Sequence, residues 1–265
     1  MNVYAELTGE FNRERLRAIL SSGQAVVMHR LAVMSKDGDW ILREDEEALR
    51  HVLGVLDSHA ATYRFGAPLD ARWLAGGWSA HLEFQHASLR VRTDFVSRPP
   101  RIPMARLLAM WREQESRTMP FVDVRDLVEL KKTNREKDYA VIGELARMLP
   151  DPADQLLLSR SARDLTELAR QHSRLVEALA ETRPLLREIS RGTEHLEAAL
   201  DAERRTLMHR NERRLQAYMR AAEDWSTIWP EVAQEVAGLS LLQAHPIVVS
   251  RAEGVLPFSV EAVEP

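Results

Sequence analysis

The chain has 265 residues, 29% charged and 45% hydrophobic, a composition typical of a globular protein of one or two domains. It excludes collagen-like and low-complexity proteins. With 36 Lys and Arg against 40 Asp and Glu the formal net charge is -4, so any contact with nucleic acid must come from a local basic patch. The absence of cysteine excludes disulfides, thiol nucleophiles and thiolate metal sites.

The apolar runs are short. The longest without a charge is Leu107–Trp111, far below the roughly 18 to 20 residues that a membrane-spanning helix needs. The N-terminal segment carries Glu6, Glu10 and Arg13 where a secretory signal has its apolar core. We therefore expect no membrane contact and a cytoplasmic location.

Residues 1–149 combine short β-like runs with helical patterns. Ala25–Met28 and Leu31–Met34 are apolar runs that predict two buried strands, although periodicity alone does not separate such runs from helix. After Asp37–Leu42, the run of acids at 44–47 predicts the first turn of a helix that ends near Ser58. The apolar face of this helix comprises Leu49, Val52, Leu53 and Leu56.

A β-hairpin is predicted between Trp78 and Val96, because apolar and polar residues alternate on both sides of the four-residue loop Gln85–Ser88. Pairing of Phe84 with Leu89 would give this hairpin one apolar and one polar face. On the polar face, the predicted pairs are Glu83 with Arg90, His81 with Arg92 and Ser79 with Asp94. His81 and Glu83 would then serve as a metal ligand and a general base, or as the cross-strand partners of arginines.

Pro150-Asp151-Pro152 marks the predicted domain boundary, because proline ends the preceding helix and fits the first turn of another near Ala153. The domains are then residues 1–149 and a helical domain, residues 150–265. Leucines at spacings of three, four and seven predict two long antiparallel helices in the second domain. Beyond Trp225 we expect irregular chain, ending in a loose tail, Val260–Pro265.

Asp37 and Asp39 are two residues apart, so an extended backbone places both carboxylates on one face. Asp94, in the second hairpin strand, supplies a third acid. Three carboxylates without cysteine suit Mg²⁺, and two such ions can stabilise the attacking and leaving oxygens of a phosphoryl displacement. The alternative is that Asp37-Gly38-Asp39 is a turn, since Asp-Gly is common in hairpin loops.

This order of elements resembles the nucleotidyltransferase fold of the DNA polymerase beta superfamily, especially the small prokaryotic branch that includes abortive-infection type E toxins. The resemblance covers about residues 20–149 and rests on Asp37-Gly38-Asp39, on Asp94 in its apolar strand and on the segment Asp126–Asp138. That segment is the most specific match, since Asp-Leu-Val is followed by lysines, an arginine and Lys137-Asp138. The resemblance implies an α+β fold, a nucleotidyltransferase-like mixed sheet with flanking helices followed by an all-helical C-terminal domain.

The activity that the resemblance implies is Mg²⁺-dependent transfer of a nucleoside monophosphate from a nucleoside triphosphate to an acceptor hydroxyl of RNA or protein. The catalytic and metal-binding residues would be Asp37, Asp39 and Asp94. The nucleotide-binding residues would be Arg30, Lys131, Lys132 and Arg135. Arg30 is included because the family's Gly-Gly or Gly-Ser pair before the first acid does not occur in the apolar run 26–32, where a guanidinium could replace it. The acidic neighbours of Lys131, Lys132 and Arg135 are equally consistent with simple ion pairs.

The absent glycine pair and the leucine stripes favour an alternative function, a non-catalytic nucleotidyltransferase-like scaffold whose long helices bind a partner protein or form a homodimer. Two further features leave alternatives open. Trp73 and Trp78 flank Gly76-Gly77 and suit either base stacking or a core. An RNA-binding patch or a solvated helix face would explain Arg204, Arg205, Arg210, Arg213, Arg214 and Arg220.

Overall fold

The computed structural model describes residues 2–260 and places them in two compact units, residues 2–122 with 215–260, and residues 123–214. The boundary predicted at Pro150 lies inside the second unit. The predicted loose tail lies outside the described residues, apart from Val260. No helix within residues 2–260 is both long and apolar enough to cross a bilayer.

The strands are β1 Ala18–Ser21, β2 Asp37–Leu42, β3 Thr62–Tyr63, β4 Ala80–His86 and β5 Leu89–Val96. The helices before residue 150 are α1 Val3–Phe11, α2 Ser22–Met28, α3 Glu46–Ser58, α4 Ala71–Ala75, α5 Met104–Gln114, α6 Val124–Lys131 and α7 Glu136–Arg147. The later helices are α8 Pro152–Leu158, α9 Ala162–Gln171, α10 Ser173–Leu179, the 3₁₀ helix Pro184–Arg191, α11 Thr193–Ala221, α12 Glu223–Glu235 and α13 Leu241–Glu253.

All the strands belong to one sheet of the first unit, in the order β1-β2-β5-β4-β3. β2 and β5 are parallel, and each of the other neighbouring pairs is antiparallel. This mixed sheet, the helices around it and the helical C-terminal region confirm the predicted α+β class.

The apolar face of the sheet packs against α1 and α3. The ring of Trp40 in β2 stacks on Phe95 of β5 with centroids 5.5 Å apart, and Phe11 of α1 meets both rings edge-on. The Trp40 indole N–H donates to Thr8 Oγ1 at 3.0 Å, so its polar atom is satisfied inside the core. Full burial of each such side chain contributes about 2 to 3 kcal/mol, which fixes β2 and β5 relative to α1.

The predicted helix after the acidic run is α3, and its bounds and buried face are confirmed. Asp45 caps it, because the Asp45 carboxylate accepts a hydrogen bond from the Ala48 N–H at 2.8 Å. The helix break predicted at Pro150–Pro152 is confirmed as well, since α7 ends at Arg147 and α8 begins at Pro152.

The first predicted strands are wrong. Ala25–Met28 lies in helix α2, and the strand that precedes it is β1, at Ala18–Ser21. Leu31–Met34 is a loop in which Val33 is 97% exposed, so it is not a buried strand. A four-residue apolar run fits one buried turn of helix as well as it fits a strand, which is why the pattern misled.

The hairpin is confirmed, but its predicted register is wrong by two residues. Phe84 pairs with Val91 rather than with Leu89, and the loop shrinks to Ala87-Ser88. Leu89 is 61% exposed near this loop. Because side chains alternate with a period of two, this shift leaves every residue on its predicted face and changes only its cross-strand partner.

The leucine pattern of the second unit forms shorter helices than predicted. Residues 153–179 are divided among α8, α9 and α10 instead of one long helix, because the Ser161 hydroxyl accepts from the Asp164 N–H and starts a new helix. The apolar stripes then pack on one another within this unit. Their buried leucines are Leu156, Leu165, Leu185, Leu186, Leu196 and Leu200.

Helices also replace the irregular chain predicted beyond Trp225. Pro230 lies inside α12 and Pro246 inside α13. A capping box begins α13, where the Ser240 side chain and Gln243 satisfy each other's backbone N–H groups. The Ser-x-x-Gln pattern was the available signal, and the prolines obscured it.

Candidate functional site

Strand β2 places two acids on the polar face of the sheet. Asp37 and Asp39 alternate with Gly38 and Trp40, which face the core. A Cβ on Gly38 would lie 2.4 Å from the Trp40 ring and 2.5 Å from the Tyr4 ring. Glycine is therefore required at this position by two aromatic rings, and the alternative that Asp37-Gly38-Asp39 is a turn is wrong.

The sheet register brings the predicted acids together. Asp39 pairs with Asp94 of the parallel strand β5, and Asp37 pairs with Arg92 two residues earlier. On its other side Asp39 faces Ser21 of β1, and Asp94 faces His81 of β4. Ser21, Asp39, Asp94 and His81 thus form one row across the polar face, which we call the acid row.

Asp94 is held by two basic side chains. Its Oδ1 accepts a hydrogen bond from His81 Nδ1–H at 2.7 Å and another from the Arg64 guanidinium at 3.2 Å. Arg64 also approaches Glu83 at 3.5 Å, and Arg90 binds Glu83 with two hydrogen bonds. Acids and bases therefore alternate over the half-exposed polar face, which gives it both anionic and cationic groups for a ligand.

The three carboxylates have the right chemistry for Mg²⁺ but not the right arrangement. Oxygen ligands suit this ion, yet within residues 2–260 no group of three or more His, Asp or Glu side chains is placed to hold a metal. Asp94 directs Oδ1 to His81 and Arg64 instead. A site formed by all three carboxylates would require Asp94 to turn, whereas one or two carboxylates with the phosphates of a substrate are often enough for this ion, so Mg²⁺ binding stays a prediction.

The negative charge of these acids reaches Tyr4 on α1. The pKa of Tyr4 is raised, first by burial and then by the carboxylates of Asp37, Asp39 and Asp94. Its hydroxyl donates to the Lys36 carbonyl at 2.6 Å, which ties the loop before β2 to α1. Sequence analysis did not identify this tyrosine, because its contact to the acids crosses between distant segments.

An open cavity of about 830 Å³ lies beside Asp37 and is also lined by Lys36, Arg90 and Arg92. Its volume is in the range of ligand sites. Asp37 Oδ1 is buried in its wall and accepts no hydrogen bond from any described residue. The nearest cation is Arg92, 3.8 Å away. The Asp37 side chain as a whole is 42% exposed, so this carboxylate is accessible to a ligand that brings a donor or a cation.

Ser21, Ser22 and Gly23 are candidate site residues that sequence analysis missed. They join β1 to α2, and Ser21 lies beside Asp39. A Cβ on Gly23 would lie 2.2 Å from Ser35 Oγ, so the chain before β2 needs glycine there. The signal was the apolar run Ala18–Leu20 followed by three small residues. Arg30, predicted to bind nucleotide, is exposed beyond the opposite end of α2.

Lys131, Lys132 and Arg135, also predicted to bind nucleotide, belong to the second unit and have acidic partners there. Lys131 Nζ lies 3.6 Å from Asp138, and Arg135 donates to the same carboxylate at 2.9 Å. Lys132 donates to Glu129 at 2.6 Å, and burial lowers the pKa of Lys132. Of these three cations, Arg135 is the most exposed, at 53%. The ion-pair alternative therefore describes their placement.

Trp73 and Trp78 are core residues rather than an exposed stacking surface. Their indole N–H groups donate to the carbonyls of Leu256 and Pro257 at 3.1 and 2.9 Å. Trp73 is fully buried and Trp78 nearly so. The segment after α13 therefore covers the tryptophans and the glycines between them.

No family model and no characterised protein matches this sequence. Two solved structures from Helicobacter pylori are similar. One is provisionally described as a nucleotidyltransferase and is 12% identical to this chain. The aligned region covers 80% of this chain and 96% of that protein, with a TM-score of 0.39. The other, JHP933, is 11% identical. The aligned region covers 81% of this chain and 94% of JHP933, with a TM-score of 0.38. At such low identity and TM-score the likeness assigns neither a family nor an activity to this chain.

Proposed function

We propose that this chain transfers a nucleoside monophosphate from a nucleoside triphosphate to an acceptor hydroxyl. The observation that carries the proposal is the placement of Asp39 beside Asp94 on parallel strands, with Asp37 on the same face. The family that the sequence resembles carries its acids in this order. Ser22-Gly23, next to the acid row, supply the small pair that the apolar run 26–32 lacks, in serine-glycine form.

In this reaction a bond forms between the acceptor oxygen and the α-phosphorus, and the bond from that phosphorus to pyrophosphate breaks. The acceptor proton passes to a carboxylate, for which Asp94 is the candidate. Arg64 and Arg92 share the polar face with the acids and are our candidates for phosphate contacts. That Lys131, Lys132 and Arg135 bind phosphate stays a prediction, and it would require them to leave their acidic partners.

Mg²⁺ is part of this proposal only as a prediction to be tested. Asp37, Asp39 and Asp94 are the residues that would hold it, and Asp94 would first have to exchange its bonds to His81 and Arg64. The toxin-like role that the resemblance implies, and an RNA or protein acceptor, likewise depend on activity that has to be measured.

The test is calorimetric titration of the full chain with each nucleoside triphosphate, with and without Mg²⁺. Asp39→Asn removes one acid of the row, and Asp224→Asn is the control because Asp224 is an exposed acid on α12. We expect Mg²⁺-dependent binding to be lost in Asp39→Asn and kept in Asp224→Asn. If no triphosphate binds the wild type, the enzyme proposal is wrong and the non-catalytic scaffold is favoured.

The scaffold alternative rests on apolar stripes that are free to bind another chain. Most of each stripe is instead buried or partly buried within the second unit, and the exposed apolar side chains lie at the end of the second stripe, at Leu215 and Met219. We therefore rank it below nucleotidyl transfer. Light scattering over a range of concentrations tests it, since a homodimer through these helices would double the mass.

A further inference from the structure

One face of α11 concentrates positive charge in a chain whose net charge is -4. The segment Arg204–Arg214 contains five arginines and a single acid, Glu212. Residues four apart lie on the same side of a helix, so Arg205, His209 and Arg213 form a stripe. All three are exposed. We call these three residues the α11 stripe.

The arginines of the stripe lack the ion pairs that neutralise their neighbour. Arg204 binds Glu136 at 3.1 Å and Asp201 at 3.0 Å. Arg205 and Arg213, in contrast, make no hydrogen bond or ion pair with any residue between 2 and 260, and the same holds for Arg210 beside them. Unpaired guanidinium groups on one exposed face are available to an anionic partner.

A small cavity adjoins the stripe within the same unit. Asn211 donates to the Lys132 carbonyl at 2.7 Å and Asn134 to Glu212 at 3.1 Å, which holds the loop before α7 against α11. The cavity beside these contacts measures about 220 Å³. It is lined by Asn134, Arg205, Met208, His209 and Glu212. Imidazole and guanidinium planes stack on bases, and amide and carboxylate groups bond base edges.

We propose that the α11 stripe and this cavity bind a single-stranded nucleic acid. Arg205 and Arg213 are eight residues apart, so the helical rise puts them about 12 Å from each other along the axis, and they would contact non-adjacent phosphates of one strand. One unstacked base would enter the cavity. This proposal is independent of nucleotidyl transfer, because it uses no side chain that is proposed to bind the nucleotide or to act in the transfer.

The chemistry of the face argues against a membrane as the partner. Between Arg205 and Arg213 the exposed residues are Thr206, His209 and Arg210, none of which is an apolar anchor. A helix that lies in a bilayer interface needs large apolar side chains opposite its charges. Leu196 and Leu200 of α11 are buried in the protein itself, and the exposed Leu215 and Met219 of this helix lie beyond the stripe.

Fluorescence anisotropy with the full chain tests the proposal. The probes are labelled single-stranded RNA and DNA of one sequence and about twelve nucleotides, titrated over a range of salt. We expect both probes to bind, because phosphates carry the contact. Replacing Arg205→Ala and Arg213→Ala together should weaken binding at least about tenfold and reduce the salt slope by about 1.4, two contacts at about 0.7 each.

Two further variants separate specific contacts from charge and folding. Arg174→Ala with Arg187→Ala removes two exposed arginines of the same unit and leaves the same net charge, so it should bind like the wild type. Arg205→Lys with Arg213→Lys keeps the charges and should keep the salt slope. Circular dichroism confirms that each variant is folded.

Three outcomes would overturn the proposal. Wild type that binds neither probe leaves the stripe without this partner. If the Arg174 and Arg187 control loses as much affinity as the Arg205 and Arg213 variant, only general charge attraction holds the probe. A poly-glutamate peptide is the third probe. If it binds as tightly as RNA and the same double alanine variant no longer binds it, the surface binds an acidic protein partner.

Discussion

Asp39 of β2 lies beside Asp94 of β5 in the parallel register of the sheet. Adjacent like charges on neighbouring strands destabilise a sheet, typically by about 0.2 to 1 kcal/mol. His81 and Arg64 compensate Asp94, but the pair of acids still concentrates negative charge in one row. Because this pair of acids lowers the stability of the sheet, its presence indicates a role in binding.

Asp39→Asn should therefore separate function from folding. We expect the free energy of unfolding to stay the same or to rise by up to about 1 kcal/mol, because one of two adjacent charges disappears. Nucleotide binding should be lost in the same variant. Urea unfolding and calorimetry measure the two effects. A fall in stability of more than about 1 kcal/mol would show that Asp39 is a structural residue.

Gly38→Ala should destabilise the first unit by about 1 to 3 kcal/mol, because the new Cβ overlaps the Trp40 and Tyr4 rings and small-to-large changes in a core cost this much. The matched control is Gly54→Ala, since a Cβ there meets nothing within 4 Å and Gly54 lies in α3. The control should gain up to about 1 kcal/mol from helix propensity. Equal urea midpoints for the two variants would contradict this account.

The sequence predicted on which face of the sheet each site residue lies. It was less successful in predicting which site residues lie next to each other. Alternation of polar and apolar residues assigns Asp37, Asp39 and Asp94 to polar faces whatever the register, so the two-residue error in the hairpin cost nothing there. The parallel pairing of β2 with β5 joins segments some fifty residues apart. No local pattern specifies it, and only the family resemblance suggested that the acids meet.

Local sequence patterns gave wrong predictions where a short apolar run is compatible with both a strand and a helix. Ala25–Met28 is equally apolar as a strand or as one helical turn, and packing beside β1 selects the helix. The leucines of residues 158–179 have helical spacing throughout, but a serine cap at Ser161 divides them. The approach of Tyr4 to the acids joins distant segments and has no local signal, whereas the His81–Asp94 contact lies within the predicted hairpin and was missed only through its register.

Gly76→Ala should release the segment that covers the tryptophans. A Cβ on Gly76 would lie 1.8 Å from the Phe258 carbonyl oxygen, so the segment must move, and the Trp73 and Trp78 bonds to it should weaken. We expect a loss of about 1 to 3 kcal/mol and a change in tryptophan fluorescence. Gly9→Ala is the control, because nothing lies within 4 Å of its Cβ. An unchanged spectrum would mean that the segment does not cover these rings.

The stability of the first unit should fall as the pH drops below about 6.5, because of His245. Burial lowers the pKa of His245, with Asp70 opposing the shift, and the Tyr63 hydroxyl is hydrogen-bonded to Nδ1 at 2.8 Å. The folded chain thus keeps His245 neutral after the unfolded chain has begun to bind a proton at about 6.5. The unfolded state binds more protons in this window, so stability increases with pH there.

Urea unfolding between pH 5 and 8 measures this slope, which one histidine limits to about 1.4 kcal/mol per pH unit. His245→Gln should flatten the slope below about pH 6.5, since it removes the group that the unfolded state protonates first. His86→Gln, at an exposed histidine of the same unit, should leave it unchanged. If His245→Gln keeps the slope of the wild type, another group causes it.

Loss of Glu203 should lower the free energy of unfolding of the second unit. It accepts hydrogen bonds from Arg160 and Arg183, whose side chains are 8% and 5% exposed, and burial lowers the pKa of both arginines. Glu203→Ala removes the acid to which both buried guanidinium groups donate and leaves only the charge of Glu129 acting on Arg160, so we expect the substitution to cost about 3 kcal/mol or more. Glu197→Ala, at an exposed acid of the same helix, should change the free energy of unfolding little.

A second substitution distinguishes charge repulsion from lost packing. Adding Arg160→Met to Glu203→Ala removes one of the two facing cations, so the double variant should be more stable than Glu203→Ala alone. Arg160 is the arginine to replace, because its Nε is buried without a partner while Arg183 still donates to the carbonyls of Leu156 and Ser159. Additive losses in urea unfolding would instead show that the two guanidinium groups do not interact.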